Sequence, residues 1–194
     1  MMGAVRPSLE TSEADEVLLA RVASGDQAAF EKLFLSYQKR LFRYLLGAVR
    51  SEAIAEELVC ETMTDVWRNA RTFQGRSRVS TWIFGIASNK AKTALRRPQH
   101  QEADPELVLR LEDPNPGPAD EIARQELAGQ VRAALEHLTP EHRQVVELTF
   151  MHGFSYQEIA TIAGCPVNTV KTRMFHAKRR LREALGGIFS GRVP

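Results

Sequence analysis

The densest chemistry in the chain lies in residues 155–181, SYQEIATIAGCPVNTVKTRMFHAKRRL. Ser155 with Glu158 three residues later has the spacing of a capping box, which predicts a short helix starting there. Ile159, Ile162 and Ala163 give that helix one apolar side, and Gly164 supplies the tight turn between two packed helices. In the second helix Val170, Met174, Ala177 and Leu181 recur at spacings of four, three and four. Rotation by about 100° per residue turns Asn168, Lys171, Thr172, Phe175, His176 and Arg179 to the other side. These hydrogen-bonding, cationic and apolar tips suit base edges and flanking phosphates in a major groove. The competing reading is a helical hairpin whose polar side meets only water. The Lys178-Arg179-Arg180 cluster and the small, turn-built first helix favour DNA.

A second surface comes earlier in the chain. In a helical pattern from about Ser80 to Arg97, Ile83, Ile86, Ala87 and Ala94 share one side. Thr81, Gly85, Ser88, Asn89, Lys92 and Arg96 lie on the other, small and polar with cationic flanks. Such a face, with Gly85 permitting close backbone approach, suits single-stranded or melted DNA. Phe73, Trp82 and Asn89 offer stacking faces and an amide for an extruded base. Trp82 serves equally well as a core residue, since an indole is apolar with one polar tip.

These surfaces need elements to hold them, and the patterning is helical throughout. Apolar residues recur at three- and four-residue spacings without strand-like alternation, which predicts an all-α fold. Helices are expected over Asp15–Ala23, Gln27 to about Arg50, Ala53–Thr72 and Ser80–Arg97, then Glu121–His137 and Pro140 to about His152. Two short helices then flank Gly164-Cys165-Pro166. Asp26 and Thr139 are N-caps by type and position, and Pro140 occupies a first helical position where its missing N–H is harmless.

Charge divides the chain more sharply than its net +2 suggests. Arg76–Arg97 holds six basic residues and no acid, and Val167–Pro194 holds seven against Glu183 alone. Between them Pro98–Gln130 carries eight acids and two arginines. Two cationic islands around an acidic stretch point to two polyanion-binding surfaces and a segment that avoids the polyanion. The run PNPGP within that stretch cannot be helical. The expected organisation is a tail over 1–14, a helical module over 15–97, an acidic linker over 98–120, a second module over 121–187 and a tail over 188–194.

No apolar run approaches the roughly 20 residues that cross a bilayer, and the first residues have no secretory apolar core. A cytoplasmic protein without membrane insertion is expected. Cys60 and Cys165, far apart, make neither a disulfide framework nor a zinc site, and read as small buried hydrophobes. The five histidines show no metal spacing, and no phosphate-cradling glycine loop or nucleophile motif appears. Neither an enzyme nor a metal or cofactor is expected.

The run LEHLTPEHRQVVELTFMHGFSYQEIATIAGCPVNTVKTRMFHAKRRLREAL resembles region 4 of extracytoplasmic-function sigma factors, two-domain members of the sigma-70 superfamily. AEELVCETMTDVWRNARTFQGRSRVSTWIFGIASNKAKTALRR resembles their region 2. The resemblance implies a transcription initiation factor that binds core RNA polymerase through the β′ coiled coil and the β flap. It also implies control by an anti-sigma factor. It would place Thr169, Lys171, Thr172, Arg173, Phe175 and His176 at the promoter −35 element, beside Asn168 and Arg179. His176 stands where a second arginine is common. Asn69, Phe73 and Asn89 would form a pocket for an extruded −10 base, with Arg76 and Arg78 in the adjoining selectivity loop and Trp82, Lys92 and Arg96 nearby. Glu57, Leu58, Val59 and Glu61 would dock on polymerase, with Cys60 where glutamine is usual.

Two other readings stay open at this level. A free-standing helix-turn-helix regulator would bind duplex DNA unaided but leaves Glu57–Glu61 and the Asn89 side unused. A sigma-mimicking antagonist would bind an anti-sigma factor but no promoter, and the Lys178–Arg182 cluster argues against it.

Overall fold

A computed structural model describes residues 10–96, 129, 131 and 133–189. The expected linker over 98–120 and most of the helix expected over Glu121–His137 lie outside the described residues. Every regular element among the described residues is helical.

Helices α1 (Glu10–Ala23), α2 (Gln27–Val49), α3 (Glu52–Asn69) and α4 (Val79–Leu95) build the N-terminal module, with a 3-10 turn at Ala70–Thr72 after α3. Asp26 caps α2 by accepting the Ala29 N–H at 3.0 Å. The apolar repeat of α2 buries Leu33, Tyr37, Leu41 and Leu45, which meet Leu58, Met63 and Val66 of α3 and Ile83, Phe84 and Ala87 of α4. Tyr37 donates a buried hydrogen bond to the Asp15 carboxylate, tying α1 to α2. Burial raises the pKa of Asp15, and it raises that of Tyr37 as well, so the proton stays on the phenol.

The C-terminal module contains α5 (Pro140–Phe150), α6 (Tyr156–Ala163) and α7 (Val167–Phe189). Thr139 caps α5, Pro140 opens it, and Ser155 and Glu158 form the reciprocal capping box at α6. Gly164 ends α6 at φ 66°, a left-handed conformation that favours glycine.

Four expectations need correction. Helix α1 starts at Glu10 rather than Asp15, because nothing in Glu10–Ala14 breaks a helix, so the tail is shorter. The expected third helix tightens to a 3-10 turn at Ala70 before reaching Thr72. Helix α7 is not short: it runs 23 residues, with no glycine or proline before Gly186 to stop it. Cys60 is exposed and Cys165 half-buried. On α3 the inward positions are Leu58, Val59, Thr62 and Met63, which turns residue 60 outward.

The two modules share one apolar core. The ring of Phe84 lies 5.0 Å from that of Phe154 and 5.0 Å from that of His152, and Tyr44 packs edge-on against His152 at 6.0 Å. Gln144 of α5 donates to the Tyr44 hydroxyl at 2.8 Å and the Ser88 hydroxyl at 3.1 Å. Glu147 approaches α2 closely at Gly47: a Cβ there would stand 2.9 Å from the end of its carboxylate, which would have to shift aside.

Candidate nucleic-acid interface

The recognition helix is built by its buried seam. Val170, Met174 and Ala177 are 0%, 2% and 0% exposed, so the side chains between them are forced outward. Lys171, Thr172, Phe175, Lys178, Arg179 and Arg180 are exposed, Phe175 at 65%. A well-packed helix has no reason of its own to hold a phenyl ring in water beside five polar or cationic neighbours. Asn168, Thr169, Thr172, Arg173 and His176 line an open cleft together with His142 of α5. The His142 and His176 rings are 6.1 Å apart. Burial lowers the pKa of His142, and Arg180 and His176 lower it further. The Arg173 guanidinium is half-buried and points toward the Cys165 sulfur at 3.8 Å, while Arg179 reaches Glu183 at 3.9 Å. All eight residues expected at the −35 element therefore lie on one helix, with Arg173 the most constrained.

The N-terminal surface is less uniform. Asn89 is exposed on α4 and Arg96 at its C-cap, and Arg76 and Arg78 are exposed on the loop before it. Phe73 and Trp82 are half-buried and pack together at 5.3 Å, so each meets the core with one part and solvent with another. The Asn69 side chain is exposed and donates to the Asp65 carbonyl of its own helix at 2.9 Å. Lys92 is turned away from these residues and donates to the Ala163 carbonyl of α6 at 2.7 Å. Arg78 and Thr81 both reach Glu158, at 3.4 Å and 3.2 Å.

The docking residues split in two. Glu57 and Glu61 are exposed, whereas Leu58 and Val59 are 5% and 6% exposed and pack in the core. A groove between α3 and α4, lined by Ile54, Glu57, Leu58, Glu61, Lys90, Thr93 and Ala94, keeps part of Leu58 at its floor. Lys90 spans it, bonding Glu61 at 3.0 Å and Asp65 at 2.8 Å.

Residues 33–101 match the model of sigma-70 region 2, and residues 128–181 match that of sigma-70 region 4. The chain belongs to the sigma-70 family. Its curated relatives place it with the extracytoplasmic-function group. It is 31% identical to the RNA polymerase sigma-H factor of Pseudomonas aeruginosa over 90% of this chain and 95% of that one. It is 32% identical to the ECF RNA polymerase sigma-E factor of Escherichia coli K12, covering 86% and 92%. Among solved structures it resembles CnrH in complex with the cytosolic domain of CnrY, at TM-score 0.66 and 27% identity, covering 90% and 98%. It also resembles the sigma factor RpoE of Bartonella quintana, solved with the anti-sigma factor NepR, at TM-score 0.60 and 25% identity, covering 81% and 96%. Sigma factors are transcription initiation factors, not enzymes, and they bind RNA polymerase and promoter DNA. Among the described residues no helix is long and apolar enough to cross a membrane.

Sequence reasoning missed Arg40, Gln144 and Glu147 between region 2 and region 4, and it read His152 as a surface or cap residue, whereas its ring packs against Tyr44 and Phe84. Burial against α2 pushes the Glu147 carboxyl up to about 7, despite Arg143 and Arg50 nearby. Burial pushes the His152 imidazole down to about 4, and Arg40 and Arg43 add to that. One signal was available. Gly47 interrupts an otherwise strong helical pattern, which marks close approach of another element.

Proposed function

We propose that this sigma factor reads a −35 duplex with α7 and a melted −10 strand with α4 and the loop before it, while docked on core RNA polymerase in the cytoplasm. The observation that carries the assignment is the α7 face, on which Lys171, Thr172, Phe175, Lys178 and Arg179 stand exposed opposite a fully buried seam. Lys171 and Arg179 grip phosphates, while Asn168, Thr169, Thr172, Arg173, Phe175 and His176 face the base edges. In region 2, Asn89 and the Phe73–Trp82 pair receive an extruded base, with Asn69 at the rim, and Arg76, Arg78 and Arg96 hold the strand. Glu57, Glu61 and the partly open Leu58 form the polymerase face, presented to the β′ coiled coil, with Val59 supporting them from the core. Region 4 meets the β flap.

An anti-sigma factor is the expected regulator, in keeping with the solved relative bound to NepR. The region 2 module extends to Arg97 and the region 4 module runs from 121 to 187, joined by the acidic stretch. Size-exclusion binding to core polymerase, beside a gel shift on promoter duplex, tests the reading. The expected result is stoichiometric association with core polymerase and weak binding to duplex alone. Tight duplex binding with no polymerase association would return the chain to the free-standing regulators.

A further inference from the structure

We propose that His142 of α5 seats a backbone phosphate of the −35 duplex and takes up a proton as it does so, a contact supplied from outside the recognition helix. The proposal rests on the promoter-reading assignment and deepens it, since the base-reading residues of α7 keep their places.

The argument begins with position. His142 forms the α5 rim of an open cleft whose other wall is α7, lined by Asn168, Thr169, Thr172, Arg173 and His176. An α-helix with its side chains is about 10–12 Å across, and a major groove is about 12 Å wide. A helix that reads base edges therefore fills the groove, and whatever flanks it meets the sugar–phosphate wall. On this molecule the flank of α7 at His176 is the His142 rim, with the two rings 6.1 Å apart.

Packing gives the imidazole little reason to be there. Its Nδ1 is buried and has no hydrogen-bond partner among the described residues. A hidden ring nitrogen without a partner costs free energy that an apolar side chain of similar size would avoid.

The charges around the ring are mostly positive. Arg180, His176 and Arg173 act on it from α7, and Glu141 from its own helix. The Glu141 carboxylate is held at the start of α5 by its own N–H and the Thr139 hydroxyl. Burial, then Arg180 and His176, keep the His142 pKa below its usual value, with Glu141 opposing and Arg173 adding to the fall. The ring is therefore neutral near pH 7 in the free protein. A phosphodiester brings a full negative charge into the same space, which favours imidazolium and a charge-assisted hydrogen bond. Binding thus raises the pKa. The affinity contributed by His142 is present below its free pKa and is lost as pH rises through the bound value.

Holoenzyme binding to promoter duplex, measured against salt at about pH 6 and about pH 8, reads this contact. The wild-type salt slope should be steeper by about one at the lower pH, because one more phosphate is neutralised. His142→Gln, which cannot ionise, should lose that difference and bind roughly three- to tenfold more weakly than wild type at the lower pH, with near parity at the higher. His142→Arg, charged throughout, should give the steep slope at both. A glutamine defect of equal size at both pH values overturns the proposal, as does an arginine variant that binds no tighter than glutamine. A glutamine defect confined to promoters with one particular base pair makes His142 a base reader and overturns it too. Imidazole nitrogen shifts of His142 in the wild-type chain, titrated with and without duplex at low salt, follow the same proton without any variant. The midpoint should move up on binding, and an unmoved midpoint overturns the proposal. A holoenzyme that selects no promoter refutes the promoter-reading assignment instead, and the titration on nonspecific duplex still decides for or against the phosphate seat.

Discussion

Region 2 and region 4 both build a nucleic-acid surface on one helix, but they leave it in different conditions. In region 4 the seam of α7 is buried within its own module, and Lys171, Thr172, Phe175 and Arg179 of its outward face are exposed. In region 2, α4 is packed on two sides: Ile83, Phe84 and Ala87 enter the region 2 core, while Thr81, Ser88 and Lys92 meet region 4. The outward residues of α7 are therefore free for a partner, whereas Thr81, Ser88 and Lys92 of α4 are already engaged by region 4.

The largest expected effect strikes the residue both regions share. Phe84 is fully buried and touches Tyr44, His152 and Phe154, so Phe84→Ala should cost about 3–5 kcal/mol. Denaturant unfolding should show that loss together with a wider separation between the modules. Loss of stability with the module distance unchanged would mean that Phe84 serves region 2 alone.

Protons sharpen the comparison next. The contact between the modules buries Glu147, whose carboxyl is pushed up to about 7, beside Arg143, Arg50 and Tyr44. The folded form therefore loses stability as pH rises from about 4.5 to about 7, because the exposed carboxyl of the unfolded chain ionises first. The same contact buries His152, pushed down to about 4, near Arg40 and Arg43, so the folded form loses stability as pH falls from about 6.5 to about 4. The two slopes oppose each other between roughly 4.5 and 6.5, and their summed effect on the denaturant midpoint should be small there. In His152→Phe, which keeps a ring against Tyr44 and Phe84, the midpoint should fall relative to wild type as pH rises from about 4 to about 6.5. In Glu147→Gln it should rise relative to wild type from about pH 4.5 to about 7. Profiles parallel to wild type in both variants would mean that neither group titrates on unfolding.

Smaller effects separate the two reading surfaces. Lys171→Ala should weaken −35 binding on all sequences and reduce the salt slope by about one. An unchanged slope means that Lys171 does not meet the backbone. Asn89→Ala should change base preference at one −10 position in transcription of a randomised promoter set, with polymerase affinity intact. A fall in polymerase affinity instead would make Asn89 part of the docking face.

Much of this was legible in the residues. The capping box at Ser155, the Thr139-Pro140 start and the left-handed Gly164 are local signals that need no tertiary information, and each stands as expected. The seam of Val170, Met174 and Ala177 follows from periodicity alone, and with it the outward face of α7. Periodicity says less about α4, because a helix packed on two sides has no single wet face. Ser88 and Lys92 look like DNA-facing residues in the sequence, yet they are satisfied by another module. Val59 illustrates the same limit: a motif names a docking stretch, but helical geometry turns only Glu57, Glu61 and an edge of Leu58 outward. Glu147 was passed over and His152 read as a surface or cap residue because long-range burial, not neighbouring sequence, gives them their character.

The most direct test is transcription from a fragmented genomic library by core polymerase with and without this protein, with every start mapped. The account predicts a set of starts dependent on the added protein, each preceded by one −35 and one −10 sequence at constant spacing. No protein-dependent starts, or starts sharing only one of the two elements, would contradict a sigma factor that reads promoters with both of its regions.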